Sequence, residues 1–393
     1  MSLEGFVAHT EGRTSLLVPR KSLGKGPPDL FPAFFNPRGK VVRDISIVAF
    51  EAFARGLSTR PVLADPLAGV GARSLRVAVE CPAVSHVWAN DLNPTAIQAA
   101  RLASRANGCS GRIDFSILDA NQFLSSLAKP DSRPSIVDID PFGTPAPFVE
   151  SAIRALADGG LLGITATDTA VLRGLYPEVA YRKYGAWIHR TDYGKESMLR
   201  LVMGLVVHRA LVYDMVVEPL FAHADQHYAR VYCRIRISPS GANASLVHLG
   251  YLLHCSKCGH REASSTSSST CPACGGKLKA SGPLWLGDLH EAAFLDSSLA
   301  VASSGPAKKY SLLLGRAKAE IGFPPFYFRI PSLTDGLGIA SVSPTELSGR
   351  LVANGFRCVR SSVDGQGIKT DATIREVLSA LREVHPLNPR HTK

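Results

Sequence analysis

Two carboxylates stand at the end of an apolar stretch in the middle of the chain. Residues 136–148 read IVDIDPFGTPAPF, so Asp138 and Asp140 lie in a run of β-type residues that stops at Pro141, Phe142 and a glycine. An apolar run closed by proline and glycine predicts a strand followed by a turn. A carboxylate, a rigid proline and an aromatic ring at one strand end predict a site that holds a planar amine.

The exocyclic amine of a nucleobase is a poor nucleophile because its lone pair is delocalised into the ring. Acceptors for its N–H bonds favour the pyramidal geometry from which nitrogen can attack, and Asp140 and the carbonyl of Pro141 can supply two of them. The fixed φ of Pro141 holds these acceptors in place, and Phe142 offers a face on which a flipped base can stack. The alternative is a capped turn after a buried strand, with no catalytic role.

The elements that must position this site repeat along residues 61–168, where each apolar run is followed by a turn and a helical pattern. Strands that alternate with helices predict a parallel, doubly wound α/β sheet. Ligands bind such sheets at the carboxyl ends of the strands. An acid closes each of the first four apolar runs, namely Asp65, Asp91, Asp119 and Asp140.

The loop after the first of these strands, DPLAGVGARS (65–74), contains Gly69 and Gly71. A dinucleotide-binding fingerprint needs a third glycine, at the position where this chain has Ser74. Asp65 precedes the loop and would repel a diphosphate, whereas it suits a cationic ligand. S-adenosylmethionine carries a sulfonium, an amino group and no phosphate, so the pattern favours this cofactor.

The acids at the next two strand ends suit the rest of that cofactor. Asp91 is expected to accept hydrogen bonds from both ribose hydroxyls, and Asp119 is expected to bind the adenine amino group. Helix capping would explain any one of these acids, but it does not explain the whole series.

Two CxxC motifs, CSKC and CPAC, predict a metal site. Each motif is followed directly by a glycine, which lets backbone amides turn toward the thiolates. Four thiolates at this spacing suit tetrahedral, structural Zn²⁺, and a disulfide pair is the alternative in an oxidising compartment. The expected ligands are Cys255, Cys258, Cys271 and Cys274.

The chain is basic, with 44 lysines and arginines against 33 acids and a formal net charge of +11. This balance favours a polyanionic partner, although plain solubility is the alternative. Basic residues alternate with aromatic ones at 181–193, a pattern suited to a nucleic acid or to a solvated helix face. No uninterrupted apolar run reaches the roughly 18 residues of a membrane span, and the start lacks the regions of a secretory signal. We expect a cytoplasmic monomer.

The remaining segments predict a helix over 194–211, an antiparallel strand pair around a turn at 224–226, and breaks rich in serine and glycine at 238–245 and 297–306. A methyltransferase domain is expected over 1–240 and a C-terminal α+β domain over 241–393. Seven basic residues of the second part are expected to form a continuous surface for the polyanionic partner, which the family resemblance below implies to be tRNA: Lys308, Lys309, Arg316, Lys318, Arg357, Arg360 and Lys369.

Four motifs give the chain a family resemblance: NPRGKVVRD (36–44), NDLNP (90–94), DPFG (140–143) and GIKTDA (367–372). They resemble the archaeal form of the tRNA (guanine(26)-N(2))-dimethyltransferase family, and the likeness runs from EGR (11–13) to the C-terminal motif. The resemblance implies a class I, Rossmann-like methyltransferase domain followed by a tRNA-binding C-terminal domain with a zinc ribbon. It also implies transfer of one or two methyl groups to the guanine between the D and anticodon arms of tRNA.

The resemblance also implies roles for single residues. The family's catalytic acid falls on Asp140. Its cofactor-binding positions fall on Arg38, Arg73, Asp91, Asp119 and Ala120. The chain departs from the family pattern at Gly39 and Val42 and in AGVGAR (68–73), but both arginines are kept. The alternatives are an amino methyltransferase for another nucleobase or for glutamine, and a non-catalytic RNA-binding protein with a zinc ribbon.

Overall fold

The computed structural model describes residues 3–24, 32–303 and 306–384. A hairpin of β1 (Phe6–Glu11) and β2 (Thr14–Pro19) comes first. The elements of the central layer follow in chain order: α1 (Lys40–Arg55), β3 (Val62–Asp65), α2 (Ala72–Glu80), β4 (His86–Asn90), α3 (Pro94–Ala106), β5 (Ile113–Ser116), α4 (Ala120–Leu127), β6 (Ile136–Ile139), α5 (Val149–Ala155), β7 (Gly160–Ala166), α6 (Thr169–Leu172), α7 (Pro177–Tyr184), α8 (Gly194–Leu211), β8 (Met215–Asp225) and β9 (Tyr228–Ile237).

A seven-stranded sheet forms the centre, in the order β5-β4-β3-β6-β7-β9-β8. The strands from β5 to β7 are parallel, and β9 and β8 close one edge as an antiparallel pair. Every residue of β6 and β7 is buried, because helices cover both faces of a parallel sheet. The predicted doubly wound α/β fold is confirmed, and so are the helix at 194–211 and the antiparallel pair.

The C-terminal part is built on two three-stranded sheets, β11-β10-β12 and β13-β15-β14. Its elements are α9 (Pro239–Ser245), β10 (Leu249–Cys255), β11 (Arg261–Ser264), β12 (Leu278–Trp285), α10 (Ala292–Ser303), α11 (Ser311–Ala319), β13 (Phe328–Arg329), α12 (Ile330–Leu337), α13 (Pro344–Ala353), β14 (Cys358–Arg360), β15 (Gly367–Thr370) and α14 (Ile374–Val384). Among the described residues no helix combines the length and the apolar composition needed to cross a bilayer.

The two breaks expected from their serine and glycine content are largely helical. Helix α9 occupies most of the first, because Ser238 accepts the backbone N–H of Gly241 and a proline starts the helix. Helix α10 runs through the second as far as Ser303, and residues 304–305 lie outside the described part of the chain. The carboxylate of Glu291 accepts the N–H groups at the start of α10. The residue types that cap helices are also common in linkers, so the composition of both segments was misleading.

The C-terminal helices pack directly on the central layer. Phe294 and Leu295 of α10 belong to the same apolar core as Phe50 of α1. The hydroxyl of Tyr310 donates to Asp44 across 2.8 Å. The division of the chain into two domains at residue 240 stays a prediction, since this apolar core contains residues from both sides of it.

One of the seven basic residues expected on a tRNA surface is in the wrong place. Lys369 is only 3% exposed, and its ammonium lies 2.8 Å from Glu196 and 3.4 Å from Glu320, which are both buried. The expectation failed because charge type does not indicate burial, and a paired lysine can lie in a core. Lys318 pairs with Asp296 and Arg357 pairs with Asp371 at the surface, and Lys309 pairs with the buried Asp44.

Candidate active site and metal site

A cleft of about 1130 Å³ opens at the carboxyl ends of β3, β4 and β6. This is the edge at which a doubly wound sheet binds its ligands. Seven of the predicted residues line it, namely Asp65, Gly69, Arg73, Asp91, Asp140, Pro141 and Phe142. The other predicted residues of this site, Arg38, Gly71, Asp119 and Ala120, do not line the described cleft.

Asp91 is held by backbone amides at the mouth of the cleft. Its carboxylate accepts the N–H of Gly69 across 2.7 Å and the N–H of Asn93 across 2.9 Å. Each oxygen therefore has one partner and a second lone pair that is available to a ligand hydroxyl. This donor set fits a ribose, because two adjacent hydroxyls need two oriented acceptors.

The two glycines of the first loop allow backbone conformations and close packing that a side chain would prevent. Gly69 and Gly71 have positive φ values of 54° and 74°, a region that favours glycine. A Cβ on Gly71 would lie 2.9 Å from the Cβ of Ala100. Gly71 is thus needed for the close packing of the loop on α3, while Gly69 lies at the cleft itself.

Asp119 and Arg38 lie at element starts outside the cleft. Asp119 caps α4 by accepting the N–H groups of Asn121 and Gln122, and Ala120 begins that helix. The backbone N–H of Arg38 donates to the side chain of Asn36. The contacts of Asp119, Ala120 and Arg38 with the cofactor stay predictions.

The side chain of Asn90 forms hydrogen bonds to residues at three strand ends, a role that the sequence pattern did not indicate. Its buried amide donates to the carbonyl oxygens of Pro66 and Leu118, and its oxygen accepts from Ser116 and from the N–H of Leu118. An asparagine directly before the strand-end acid was the available signal. The result is that the loops after β3, β4 and β5 have a fixed spacing.

A buried chain of alternating charges leads from the sheet to Asp140. Arg230 of β9 is fully buried and donates to Asp138 across 2.5 Å. Arg73 donates one guanidinium nitrogen to Asp138 and another to Asp140. Arg230 also donates to the hydroxyl groups of Thr165 and Tyr232, so Asp138, the other acid of the opening motif, is paired twice in the core.

This chain sets the protonation state of the acids. Burial raises the pKa of Asp140, but the guanidinium groups of Arg73 and Arg230 lower it by more, so its pKa lies below the usual value. Burial, followed by the charge of Asp138, raises the pKa of Asp65 to about 7. At neutral pH Asp140 is therefore a carboxylate, while Asp65 is partly protonated and can also donate a hydrogen bond.

An aromatic pair borders the same acid. Phe142 is 63% exposed, and its ring meets Phe34 edge-to-face with centroids 4.3 Å apart. Both rings line the cleft. A planar base that enters beside Asp140 has an aromatic surface to contact, and Phe34 is a residue that the sequence pattern did not indicate.

The four cysteines of the CxxC motifs meet in one cluster. Their sulfur atoms all lie within 4.8 Å of one another. The Cys255–Cys274 and Cys258–Cys271 sulfur pairs are 3.6 and 3.7 Å apart, close to the ~3.8 Å of a tetrahedral zinc with 2.3 Å bonds. Such a site with four thiolates leaves no open position, so the donor set fits a structural zinc.

The ribbon that carries these cysteines connects separate parts of the fold. Arg261 of β11 donates to the carbonyl of Tyr327 across 2.8 Å and pairs with Asp192. Arg375 of α14 donates to the carbonyl of Ala273, between the last two cysteines. The cluster thus stabilises the place where the central layer and the C-terminal elements meet.

Comparison with known proteins gives consistent matches. A family model described as N2,N2-dimethylguanosine tRNA methyltransferase matches residues 14–382. A tRNA (guanine(26)-N(2))-dimethyltransferase of Methanothermobacter thermautotrophicus is 35% identical over 361 residues, 90% of this chain and 94% of the relative. A protein of that name from Methanopyrus kandleri is 36% identical over 386 residues, 95% of this chain and 96% of the relative.

A solved structure shares the whole architecture. Trm1 from Pyrococcus horikoshii, in complex with S-adenosyl-L-methionine, matches with a TM-score of 0.83 at 26% identity. The match covers 95% of this chain and 99% of that chain. The fold therefore extends over both the central sheet and the C-terminal elements.

Proposed function

The chain belongs to the N2,N2-dimethylguanosine tRNA methyltransferase family, and we infer from this membership that it methylates guanine 26 of tRNA. It transfers one or two methyl groups from S-adenosylmethionine to the N2 amine. The observation that carries the site assignment is the ionised Asp140 at the floor of a cleft that also contains Asp91. A volume of about 1130 Å³ leaves room for a cofactor and an extruded base together.

The residues of the DPF motif act on the amine. The carboxylate of Asp140 and the carbonyl of Pro141 accept the two N–H bonds of N2, and Phe142 stacks on the flipped guanine. The bound cofactor supplies a methyl group on a good leaving group, so catalysis depends chiefly on positioning. As N2 bonds to the methyl carbon and the carbon–sulfur bond breaks, N2 releases a proton that Asp140 can accept.

The strand ends on the other side of the cleft hold the methyl donor. Asp91 accepts the ribose hydroxyls, and Gly69 lets the backbone approach the ligand. Asp65, whose pKa is raised to about 7, contributes a carboxyl group near the cationic end of the cofactor. Arg38, Arg73, Asp119 and Ala120 complete the proposed set, and the paired state of Arg73 means that it also orients Asp140.

Mass spectrometry of nucleosides tests the function directly. An unmodified tRNA transcript incubated with enzyme and cofactor should gain N2-methylguanosine or N2,N2-dimethylguanosine, and a transcript with adenosine at position 26 should not. Methylation of another nucleobase, or of a glutamine-containing peptide in place of tRNA, would favour the alternative amino methyltransferase. Binding of tRNA without any methylation would favour the RNA-binding protein.

Asp91→Ala should weaken cofactor binding at least about tenfold. The variant loses two charge-assisted hydrogen bonds to ribose, each worth roughly 1.5–3 kcal/mol. Calorimetry with S-adenosylhomocysteine measures the loss. Asp114→Ala is the matched control, because this exposed acid of the same sheet does not line the cleft. Unchanged affinity in Asp91→Ala would remove this residue from the cofactor site.

Cys258→Ser should release the zinc and lower tRNA methylation while cofactor binding stays normal. A three-thiolate site binds the metal less tightly, and the ribbon is remote in sequence from the strand ends of the cleft. Metal content per chain by atomic absorption should fall from one to near zero. Cys358→Ser, a thiol outside the cluster, is the control. If the zinc-free variant methylates tRNA with the same salt dependence as the wild type, the ribbon has no part in tRNA recognition.

The domain limits 1–240 and 241–393, a monomeric state and a cytoplasmic location are further parts of this proposal. Light scattering at assay concentration tests the oligomeric state. Limited proteolysis tests the limits, and cell fractionation tests the location.

A further inference from the structure

Exposed aromatic side chains are concentrated in one region of the chain. Among the described residues four phenylalanine, tyrosine or tryptophan rings are exposed, and all four lie between 142 and 187. One of them is Phe142 of the cleft. The other three are Tyr176, Tyr181 and Trp187, which are 54%, 51% and 42% exposed and have no role in the site described above.

These three rings lie on adjoining segments. The rings of Tyr181 and Trp187 stack on each other, with centroids 5.1 Å apart and planes inclined by 20°. The loop before Tyr176 approaches the second segment closely, since a Cβ on Gly174 would lie 2.7 Å from the backbone nitrogen of Arg190. We call the surface formed by Tyr176, Tyr181, Trp187 and the basic residues between 173 and 190 the aromatic platform.

The platform is fixed to its surroundings by hydrogen bonds of the backbone. Trp187 and Gly282 of β12 exchange two of them, at 3.0 and 2.8 Å. Tyr184 lies on the same helix as Tyr181, is buried, and donates to Asp168 across 2.5 Å. Rings held in this way lose little freedom when a ligand stacks on them, so their contact contributes more to affinity.

The charge of the platform is strongly positive. Residues 173–190 contain Arg173, Arg182, Lys183 and Arg190 against a single acid, Glu178. Lys183 is paired with Asp168 at 3.6 Å, so the three arginines carry the free positive charge. Arg182 and Arg190 are exposed, and neither forms an ion pair within the described residues. Unpaired arginines beside exposed rings are suited to contact phosphates and bases together.

The platform adjoins the active-site cleft. Gly143 of the DPF motif and Thr167 at the end of β7 exchange hydrogen bonds of 2.8 Å. The next residue, Asp168, directly precedes α6 and accepts a hydrogen bond from Tyr184 of the platform helix. The catalytic motif and the platform are thus connected through Thr167 and Asp168.

We propose that the aromatic platform binds the tRNA nucleotides adjacent to the guanine that enters the cleft. An unpaired base stacks on the free face of the Tyr181–Trp187 pair, and the arginines contact the phosphates on either side. This inference rests on the proposed function, because it needs a tRNA whose target base has left its stack. It assigns tRNA contact to a surface distinct from the basic residues after 300.

Removal of the rings is the first test. The double variant Tyr181→Ala/Trp187→Ala should raise the tRNA dissociation constant roughly 5- to 100-fold, the range expected for loss of base stacking. The matched control Tyr181→Phe/Trp187→Phe keeps two rings and should bind within about twofold of wild type. Equal affinities of the alanine variant and the wild type would overturn the proposal, as would an equal loss in both variants.

Removal of the charges is the second test. Arg182→Ala and Arg190→Ala should each lower the slope of log affinity against log salt by about one. Arg105→Ala, an exposed arginine at the end of α3 remote from the cleft, should have less effect on the slope. A misfolded protein would also lose cofactor affinity, so calorimetry with S-adenosylhomocysteine accompanies each variant. Slopes unchanged from the wild type in both platform variants would overturn the proposal.

Fluorescence reports the stacking itself. The chain has three tryptophans, so Trp88→Phe/Trp285→Phe leaves Trp187 as the sole indole. Its emission should be quenched by an unmodified tRNA transcript and not by a plain RNA duplex. Absence of quenching by a tRNA that this protein binds and methylates would overturn the platform and leave the proposed function intact. Absence of methylation by the wild-type chain would instead contradict the proposed function.

Discussion

Asp140→Ala should reduce methyl transfer to tRNA by at least about a hundredfold while cofactor affinity stays close to that of the wild type. The side chain supplies an acceptor for the N2 amine and a site for its proton, and loss of such a group typically costs 10²–10⁴ in rate. The cofactor should lose no direct contact, because the proposed site places Asp140 at the amine and Asp91 at the ribose. Incorporation of a labelled methyl group into a tRNA transcript measures the rate.

Asp140→Asn separates charge from shape at this position. The amide keeps an oxygen acceptor of similar size but takes up no proton, so transfer should also fall well below wild type. Asp114→Ala serves again as the control acid. Thermal unfolding should show that both Asp140 variants are folded, because Arg73 keeps its bond to the buried Asp138. Near-normal methylation by the alanine variant would remove Asp140 from catalysis.

The position of this site could be predicted from residue types alone. Acids that close successive apolar runs must lie at one edge of a parallel sheet, and the cleft unites Asp65, Asp91 and Asp140 there. The cluster of the four cysteines was equally predictable, since two CxxC motifs have the spacing that a tetrahedral metal site needs. In both cases the chemistry depends on local spacing, which a sequence displays directly.

The groups that hold Asp140 in place could not be predicted in the same way. Arg230 reaches Asp138 from a strand more than ninety residues away in sequence, and nothing local distinguishes it from the other arginines of β9. The prediction of breaks at 238–245 and 297–306, where the structure has helices, was wrong for a related reason. Their capping residues have the composition of a linker, and only packing of Phe294 and Leu295 against the core decides the matter.

Lys369→Met should lower the free energy of unfolding by about 3–5 kcal/mol. The lysine lies between Glu196 of α8 and Glu320 after α11, and all three side chains are almost fully buried. Glu196 keeps Arg200 as a partner at 2.8 Å. Among the described residues, Glu320 is left with His290 as its only ion-pair partner, at 3.6 Å. Loss of the main partner of a buried carboxylate costs about this much. Lys308→Met is the matched control, since this exposed lysine should change the free energy by no more than about 0.5 kcal/mol. Urea unfolding at neutral pH measures both.

The difference between wild type and Lys369→Met should shrink as the pH falls. Burial raises the pKa of Glu320, but Lys369 and then His290 lower it by more, from 4.5 to about 2. A group with a lowered pKa in the folded state stabilises the protein above its unfolded pKa, and that contribution is lost as the pH falls toward about 2. The variant lacks most of this stabilisation at every pH. Any loss of metal in acid should affect the wild type and the variant alike. A difference that stays constant from pH 7 to pH 3 would show that Lys369 acts through packing alone and not through its charge.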